Sequence, residues 1–483
     1  MKTHSLLFFL LSLVALSAVA QEDTFESVKA QLGPQSLPLI NLTVDMNQVS
    51  KPTYTNAVME MVDPLRRTDP ERATTTFSCM VKYRGGTSLA YDKKSFTVKL
   101  TDGQGESLDA KLFGIRKDDS WILNAMAFDC LRMRDRVNFD VWNAMSSVPY
   151  DTDYGRRNGT EGLFVELFIN GCYQGLYCFS DKVNRKLLGI KKPQSDGAGN
   201  VTIRGVMYKG YLWSSATYLK GYKDESMHEA AWNGWKLDYP DEHPCPEAYT
   251  PLKSFIDYYI RTSDKALEEG IDEWFYWQNI VDYHVLLLAE GLIDNQMKNT
   301  FLSITNTQKG HCLMVTPWDM DRSLGRNGGK TVELAKQEDV LSVGLYYRLW
   351  NRDIRHYRTA VANRWRELYA TVLSEESFNA RLDAYAEAFT ASGAWQREWR
   401  KWNGNPVALH QDIGEEVAYA KDWYRRNCIH LNDDLFEGIA SGVNDVGASS
   451  TDDAEAAYNL MGQKVNAAYK GIVIKGGRKM LRR

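Results

Sequence analysis

Apolar and polar positions alternate through much of the first half of the chain and switch to helical spacing in the second. Leu37-Pro38-Leu39-Ile40-Asn41-Leu42-Thr43-Val44 is a short β-rich run, set among polar turns that continue to residue 70. Over residues 74–126 the pattern predicts strand, loop, strand, strand. Residues 74–83 are rich in β-formers, Arg84-Gly85-Gly86-Thr87-Ser88 is a glycine-bearing loop, and residues 95–100 and 121–125 read as further strands. Residues 129–145 place Val137, Val141 and Met145 near one face, the spacing of a helix. Two apolar runs, 164–169 and 172–179, flank Asn170-Gly171, and Asn-Gly between such runs predicts a β-hairpin. A mixed segment rich in Gly, Tyr and Trp covers residues 183–248. Helical patterns then dominate residues 251–292 and 333–436. A sheet-rich first half with one helix, followed by a helical second half, predicts a two-lobed α+β unit. The expected divisions are a leader at 1–20, a β-rich N-terminal region and N-lobe at 21–182, and a mainly helical C-lobe with an inserted segment at 183–437. A small polar linker at 438–452 and a β-rich segment at 453–483 complete the chain.

The leader has three parts: Lys2, an apolar run over residues 6–16 interrupted only by Ser12, and the small-x-small end Ala18-Val19-Ala20. These are the parts of a secretory signal peptide, so the expected location is exported: periplasm, cell surface or medium. No other stretch approaches the ~18 apolar residues of a membrane span, and the mature chain is expected to carry no transmembrane segment. With 483 residues, 44% of them hydrophobic and 12% aromatic, the chain fills a sizeable core, which excludes global disorder. A net charge of −4 gives no electrostatic case for nucleic acid as a partner. Seven cysteines show no CxxC pair and no zinc-like spacing, and an odd number cannot all pair within one chain. Cys172 and Cys178 are close enough in sequence to pair, with buried free thiols the equal alternative.

The candidate chemistry lies in Asp294-Asn295-Gln296-Met297-Lys298-Asn299 and, beyond the apolar run Leu313-Met314-Val315, in Pro317-Trp318-Asp319-Met320-Asp321-Arg322-Ser323-Leu324-Gly325. Protein kinases use this order of parts. An Asp takes the proton of the attacking hydroxyl, an Asn five residues on holds a metal, and an Asp past the next strand holds metal on the phosphates. Asp294 is then the candidate base, Asn299 and Asp319 are candidate metal ligands, and Asp321 shares or replaces the role of Asp319. A turn after a strand, closed by Gly325, is the purely structural alternative for Asp319 and Asp321.

Taken with the upstream blocks Arg84-Gly85-Gly86-Thr87-Ser88, Lys93-Lys94-Ser95-Phe96-Thr97-Val98-Lys99-Leu100, Trp121-Ile122-Leu123-Asn124-Ala125 and Leu131-Arg132-Met133-Arg134, this sequence resembles the CotH kinases, atypical relatives of protein kinases. The matching blocks run in family order over roughly residues 35–437. The resemblance implies a two-lobed kinase-like fold that binds ATP with Mg²⁺ (or Mn²⁺) between its lobes. It also implies transfer to a hydroxyl, in some members on secreted or surface proteins. Arg84 and Lys94 flank the glycine loop and are expected at phosphate oxygens, with the backbone N–H groups of Gly85 and Gly86. Arg134 is expected either to orient the phosphates or to brace the lobe through a carboxylate. Asp181 falls at the presumed hinge of the nucleotide site, where family members more often carry Glu. Lys93 and Lys99 read as solvated basic positions. The segment before Asp294 lacks the His-Arg of ordinary kinases, so their substrate rules do not carry over. A non-catalytic surface-binding or adhesion module on the same scaffold is the rival reading. The last segment, with Tyr458-Asn459-Leu460-Met461-Gly462 and Gly471-Ile472-Val473-Ile474, resembles the β-rich tails that sort exported bacterial proteins; a structural hairpin is its alternative.

Overall fold

The alternating segments of the first half pair into a closed barrel in the computed structural model. It describes residues 23–223, 225–332, 334, 344–439, 457–459, 464–465, 471–475 and 478–482. The barrel strands are β1 (Leu39–Val44), β2 (Thr55–Val62), β3 (Thr74–Arg84), β4 (Ser95–Thr101), β5 (Ser120–Asn124), β6 (Gly162–Ile169) and β7 (Cys172–Ser180). Their order around the barrel is β1-β6-β7-β5-β4-β3-β2. An odd number of strands cannot alternate in direction around a closed ring. One neighbouring pair must be parallel, and it is β1 with β6, Leu39 opposite Glu166. Closure leaves no edge to attract another chain. The interior is filled by the inward positions, among them Leu42, Val81, Val98, Trp121, Val165 and Phe179. Trp121 stacks on Phe179 with centroids 5.1 Å apart.

The hairpin between β6 and β7 turns at Asn170 (φ 49°) and Gly171 (φ 78°), the positive pair that a two-residue turn of this hand requires. Cys172 and Cys178 both lie on β7, six positions apart. That separation is about 20 Å along an extended strand and far beyond disulfide reach. All seven cysteines are free.

A second sheet holds the site. Its strands are β8 (Val206–Gly210), β9 (Ala231–Trp232), β10 (Trp235–Tyr239), β11 (Thr300–Ile304) and β12 (Met314–Pro317), in the order β9-β10-β8-β11-β12. The principal helices are α1 (Arg134–Met145), α2 (Pro246–Arg261), α3 (Trp277–Glu290), α4 (Ala394–Trp402) and α5 (Ile413–Ile429). Helix α2 starts before Pro251 and runs through it, forgoing one backbone hydrogen bond near its start.

Helix α4 is fastened to the barrel by a buried ion cluster. Glu398 accepts from Lys93 Nζ and Arg132 Nε at 2.7 Å each and from the Leu176 N–H at 2.8 Å. Lys93 also donates to the Leu176 carbonyl at 2.7 Å. The expectation of a solvated Lys93 is therefore corrected: its side chain is fully buried, because α4 supplies a carboxylate from 305 residues away. Burial pushes the Lys93 ammonium down to about 7 against the pull of Glu398. For Glu398, burial acts upward but is outweighed by the two cations, which hold it below the usual range. Replacing Glu398 by Ala leaves two buried cations without their counter-charge. We expect a loss of roughly 3–5 kcal/mol in urea unfolding.

Glu290, at the end of α3, is fully buried, and neither carboxyl oxygen has a hydrogen-bond partner among the described residues. Burial raises its pKa from 4.5 to about 8. Between these values the folded chain keeps a proton that the unfolded chain has released, so this group's contribution to stability falls as pH rises from about 4.5 to about 8. Glu290→Gln is expected to flatten that slope, raising the melting temperature at pH 8 relative to the native chain more than at pH 5.

By internal contacts the chain divides into two units, Met1–Glu437 and Gly438–Arg483. In the second, strands Ala457–Asn459, Lys464–Val465, Gly471–Lys475 and Arg478–Arg482 form an antiparallel sheet with Val473 buried. The expected leader at 1–20 and residues 440–452 of the expected linker lie outside the described residues. No described helix is long and apolar enough to cross a membrane. The fold class is mixed α+β, as the hydrophobic patterning implies.

Candidate active site

The hairpin of β11 and β12 brings the two sequence segments together. Thr300 pairs with Pro317, so Asn299, just before β11, meets Trp318, just after β12. The Trp318 N–H donates to the Asn299 carbonyl at 3.0 Å. Asn295 clamps the junction, its Nδ2 donating to the Trp318 carbonyl at 2.7 Å and the Asn299 carbonyl at 3.3 Å. On the other side of β11, the Gly210 carbonyl at the end of β8 accepts the Asn299 N–H at 2.8 Å. A Cβ at Gly210 would lie 1.9 Å from the Met297 carbonyl oxygen, so only glycine lets the loop approach this closely.

Asn299 (φ 54°) and Asp319 (φ 57°) both adopt the left-handed conformation. Asn and Asp tolerate that region best among residues with a side chain, and such conformations concentrate where positioning matters. Both residues are therefore held by their surroundings.

Asp294 opens the loop and is nearly buried. Its Oδ1 accepts from Trp213 Nε1 at 3.1 Å. Its Oδ2 accepts from Asn299 Nδ2 at 3.2 Å, forms an ion pair with Lys298, and lies 3.5 Å from Arg322. The carboxylate is thus fixed in orientation, with three cationic or amide groups at one oxygen.

After β12, Asp321 lies within electrostatic reach of Asp319, of Asp135 from α1 and of Asp129, the last already ion-paired with Arg134. Asp135 accepts the Met320 N–H at 2.9 Å, which ties α1 to the segment after β12. Burial, reinforced by Asp319, pushes the Asp135 carboxyl up to about 6. Burial together with Asp319, Asp135 and Asp129 pushes Asp321 well above the carboxylate range. Carboxylate and amide oxygens suit a hard divalent ion such as Mg²⁺, and like charges within electrostatic reach favour a cation. Among the described residues only the oxygens of Asp109, Asp118 and Asp119 already converge within 4.8 Å of one another, so the carboxylates here would have to draw together on an ion.

Cations face this acidic group. Arg84, at the end of β3, and Lys209, on β8, both lie over the Trp318 ring, at 5.4 and 5.1 Å. Burial lowers Lys209 to about 8, against the pull of Asp319 and Asp238. Burial lowers Arg84 too, against Asp319 and Asp135. Sequence reasoning missed Lys209 and Asp135. The signals were a lone cation inside the strand Val206-Met207-Tyr208-Lys209-Gly210 and a carboxylate next to Arg134.

Of the other expected site residues, Lys94 donates to the Leu89 carbonyl at 2.6 Å, closing the 3₁₀ turn Thr87–Ala90 after the glycine loop. Arg134 is fully buried between Asp129 (2.5 Å) and Glu416 of α5 (2.7 Å), the bracing alternative in geometric form. Asp181 is also buried, holding Arg116 at 2.6 Å, Arg157 at 2.5 Å and the Glu161 N–H at 2.9 Å. Neither Arg134 nor Asp181 presents a free group to a phosphate. A further acidic group, Asp109, Asp118 and Asp119, has its oxygens close enough to hold a metal ion and surrounds the Lys186 ammonium at 2.5, 3.1 and 3.7 Å, with Arg116 2.7 Å from Asp118 offsetting a further part of its charge.

The arrangement offers an oriented carboxylate at Asp294, an acidic group at Asp319, Asp321 and Asp135, and cations at Arg84 and Lys209. A family profile described as CotH kinase protein matches residues 81–430, most of the chain. No curated protein sequence matches it.

Proposed function

The chain belongs to the CotH kinase family, and we propose that it is an exported kinase with a two-lobed kinase-like fold, transferring phosphate from ATP to a hydroxyl on a secreted or surface protein. The observation that supports this most strongly is the junction at β11 and β12, which sets Asn299 beside Trp318, one residue before Asp319, with Asp294 hydrogen-bonded to Asn299. Asp319, Asp321, Asp135 and Asn299 would hold Mg²⁺ or Mn²⁺. That ion, when bound, supplies neutralisation of the charge on the transferring phosphoryl group. Arg84 and Lys209 bind phosphate oxygens from the opposite side. The acceptor hydroxyl donates to Asp294; as its oxygen bonds to the γ-phosphorus and the bridge to ADP breaks, its proton passes to that carboxylate. Lys298 and Arg322 hold Asp294 in place.

Export is proposed from the leader at 1–20, and the segment 453–483 is proposed as a sorting tail. Deleting 453–483 is expected to leave phosphoryl transfer unchanged and to alter where the protein accumulates, read by fractionation. Loss of soluble folded protein would make the segment structural.

The test of the reading is incubation of the purified mature chain with γ-labelled ATP, Mg²⁺ or Mn²⁺ and candidate secreted proteins. Label on a protein hydroxyl, abolished by chelator, is the expected result. Mg-ATP binding without transfer to any tested hydroxyl or to the chain itself would favour the surface-binding module.

A further inference from the structure

Behind the loop that carries Asp294 lies a cavity of about 720 Å³, lined by Tyr218, Lys220, Tyr259, Tyr347, Arg348 and Arg352, with Asp264 at its edge. Two contacts connect it to the site. Trp213, whose Nε1 donates to Asp294, stacks on Tyr218 with centroids 5.1 Å apart and planes within 10°. Gly344, on the cavity wall, lies so close to Met297 that a Cβ there would be 3.0 Å from the Met297 Cγ, and Met297 belongs to the Asp294-to-Asn299 loop. The Tyr259 hydroxyl fixes that wall by donating to the Gly344 carbonyl at 2.9 Å.

The lining carries three cationic side chains against one carboxylate. Arg348 is committed to Asp264 at 2.9 Å and to the Tyr259 and Thr262 carbonyls. Arg352 approaches the same carboxylate only at 3.7 Å, with its side chain 67% exposed. Lys220 is exposed and lies over the Tyr218 ring at 5.6 Å. Tyr347, 49% exposed, adds an aromatic face. Exposed cations among tyrosines, on a rigid wall beside the candidate base, suit carboxylate side chains in an extended segment.

We propose that this cavity is the acceptor-docking groove and that it takes an acidic peptide segment flanking the hydroxyl to be phosphorylated. Lys220 and Arg352 pair with the peptide's carboxylates, and Tyr218 and Tyr347 pack against its backbone. The proposal rests on the kinase reading for its biological meaning but not for its test.

The probe is a fluorescent peptide with one Ser among Glu residues, its counterpart having Lys in place of Glu. Anisotropy without ATP reads binding directly. The native chain is expected to bind the Glu peptide in preference to the Lys peptide, with affinity falling as salt rises. The double variant Lys220→Glu/Arg352→Glu should weaken Glu-peptide binding on the order of tenfold or more. Mg-ATP affinity, measured by calorimetry as a check of folding, should be unchanged. Lys220→Gln alone, a milder change at an exposed position, should act in the same direction.

Equal binding of both peptides, a double variant that binds like the native chain, or preference for a single-stranded oligonucleotide over the Glu peptide would overturn the assignment. A chain that holds the Glu peptide but neither binds Mg-ATP nor transfers phosphate would overturn the kinase reading and leave the groove standing. Transfer to Ser in Glu and Lys contexts alike would do the reverse.

Discussion

Asp294→Ala is expected to lower phosphoryl transfer by roughly 10²–10⁴-fold, the usual contribution of a positioned general base. Mg-ATP affinity should change little, because Asn299 is held by its backbone through Gly210 and Trp318 as well as by its contact with Asp294. The substitution also frees Lys298 and Arg322 from their common carboxylate. Asp294→Asn is therefore the necessary companion, since it keeps the shape and the Trp213 contact while removing the proton acceptor. Both variants should lose turnover by similar factors, in single-turnover assays with saturating Mg-ATP. If Asp294→Asn retains native turnover while Asp294→Ala does not, the carboxylate only props the loop. Native turnover in both would sink the catalytic assignment.

Most of the barrel strands and α1 were legible in the sequence because local signals agree there. Asn170-Gly171 announced the hairpin of β6 and β7, and both residues take the required positive φ. The strands at β3, β4 and β5 and helix α1 fall where alternation and helical spacing put them, within a few residues at their ends. Barrel closure was not legible. It depends on the parallel pairing of Leu39 with Glu166, a contact between segments more than a hundred residues apart that neither pattern encodes.

The same limit explains the site residues. Asp294, Asn299 and Asp319 lie in two neighbouring segments joined by a hairpin, so their spacing, taken with the upstream blocks of the resemblance, points to them. Lys209 reaches Trp318 through the β8–β11 pairing, where it faces Phe301, and its only local mark is a lone cation within an otherwise uncharged strand. Lys93 looked solvated because its partner, Glu398, arrives on α4 from far along the chain. Arg134 reads in sequence as a phosphate or bracing group and takes the bracing role, between Asp129 five residues away and Glu416 on α5. Asp181 reads as a hinge group, and its partners Arg116 and Arg157 lie 65 and 24 residues away.

Asp319→Asn should abolish metal-dependent nucleotide binding while leaving the fold intact. The backbone permits it, since Asn tolerates the left-handed φ of 57° that Asp319 adopts. Asp319 is exposed, so the amide enters no apolar core. Its charge is the group's common element: Asp319 raises both Asp135 and Asp321, and it opposes the lowering of Arg84 and Lys209. Removing that charge weakens attraction for a divalent cation and relieves repulsion among the remaining carboxylates. Without metal, the variant should therefore melt at the native temperature or slightly above it, as when a functional site has strain removed. Calorimetry should find Mg-ATP affinity reduced to that of ATP with chelator, where Arg84 and Lys209 alone meet the phosphates. Asp321→Asn, measured in parallel, decides which carboxylate dominates: the larger loss marks the principal ligand. Unchanged Mg-ATP affinity in both variants would remove the acidic group from the nucleotide site and leave its crowded charges without a functional account.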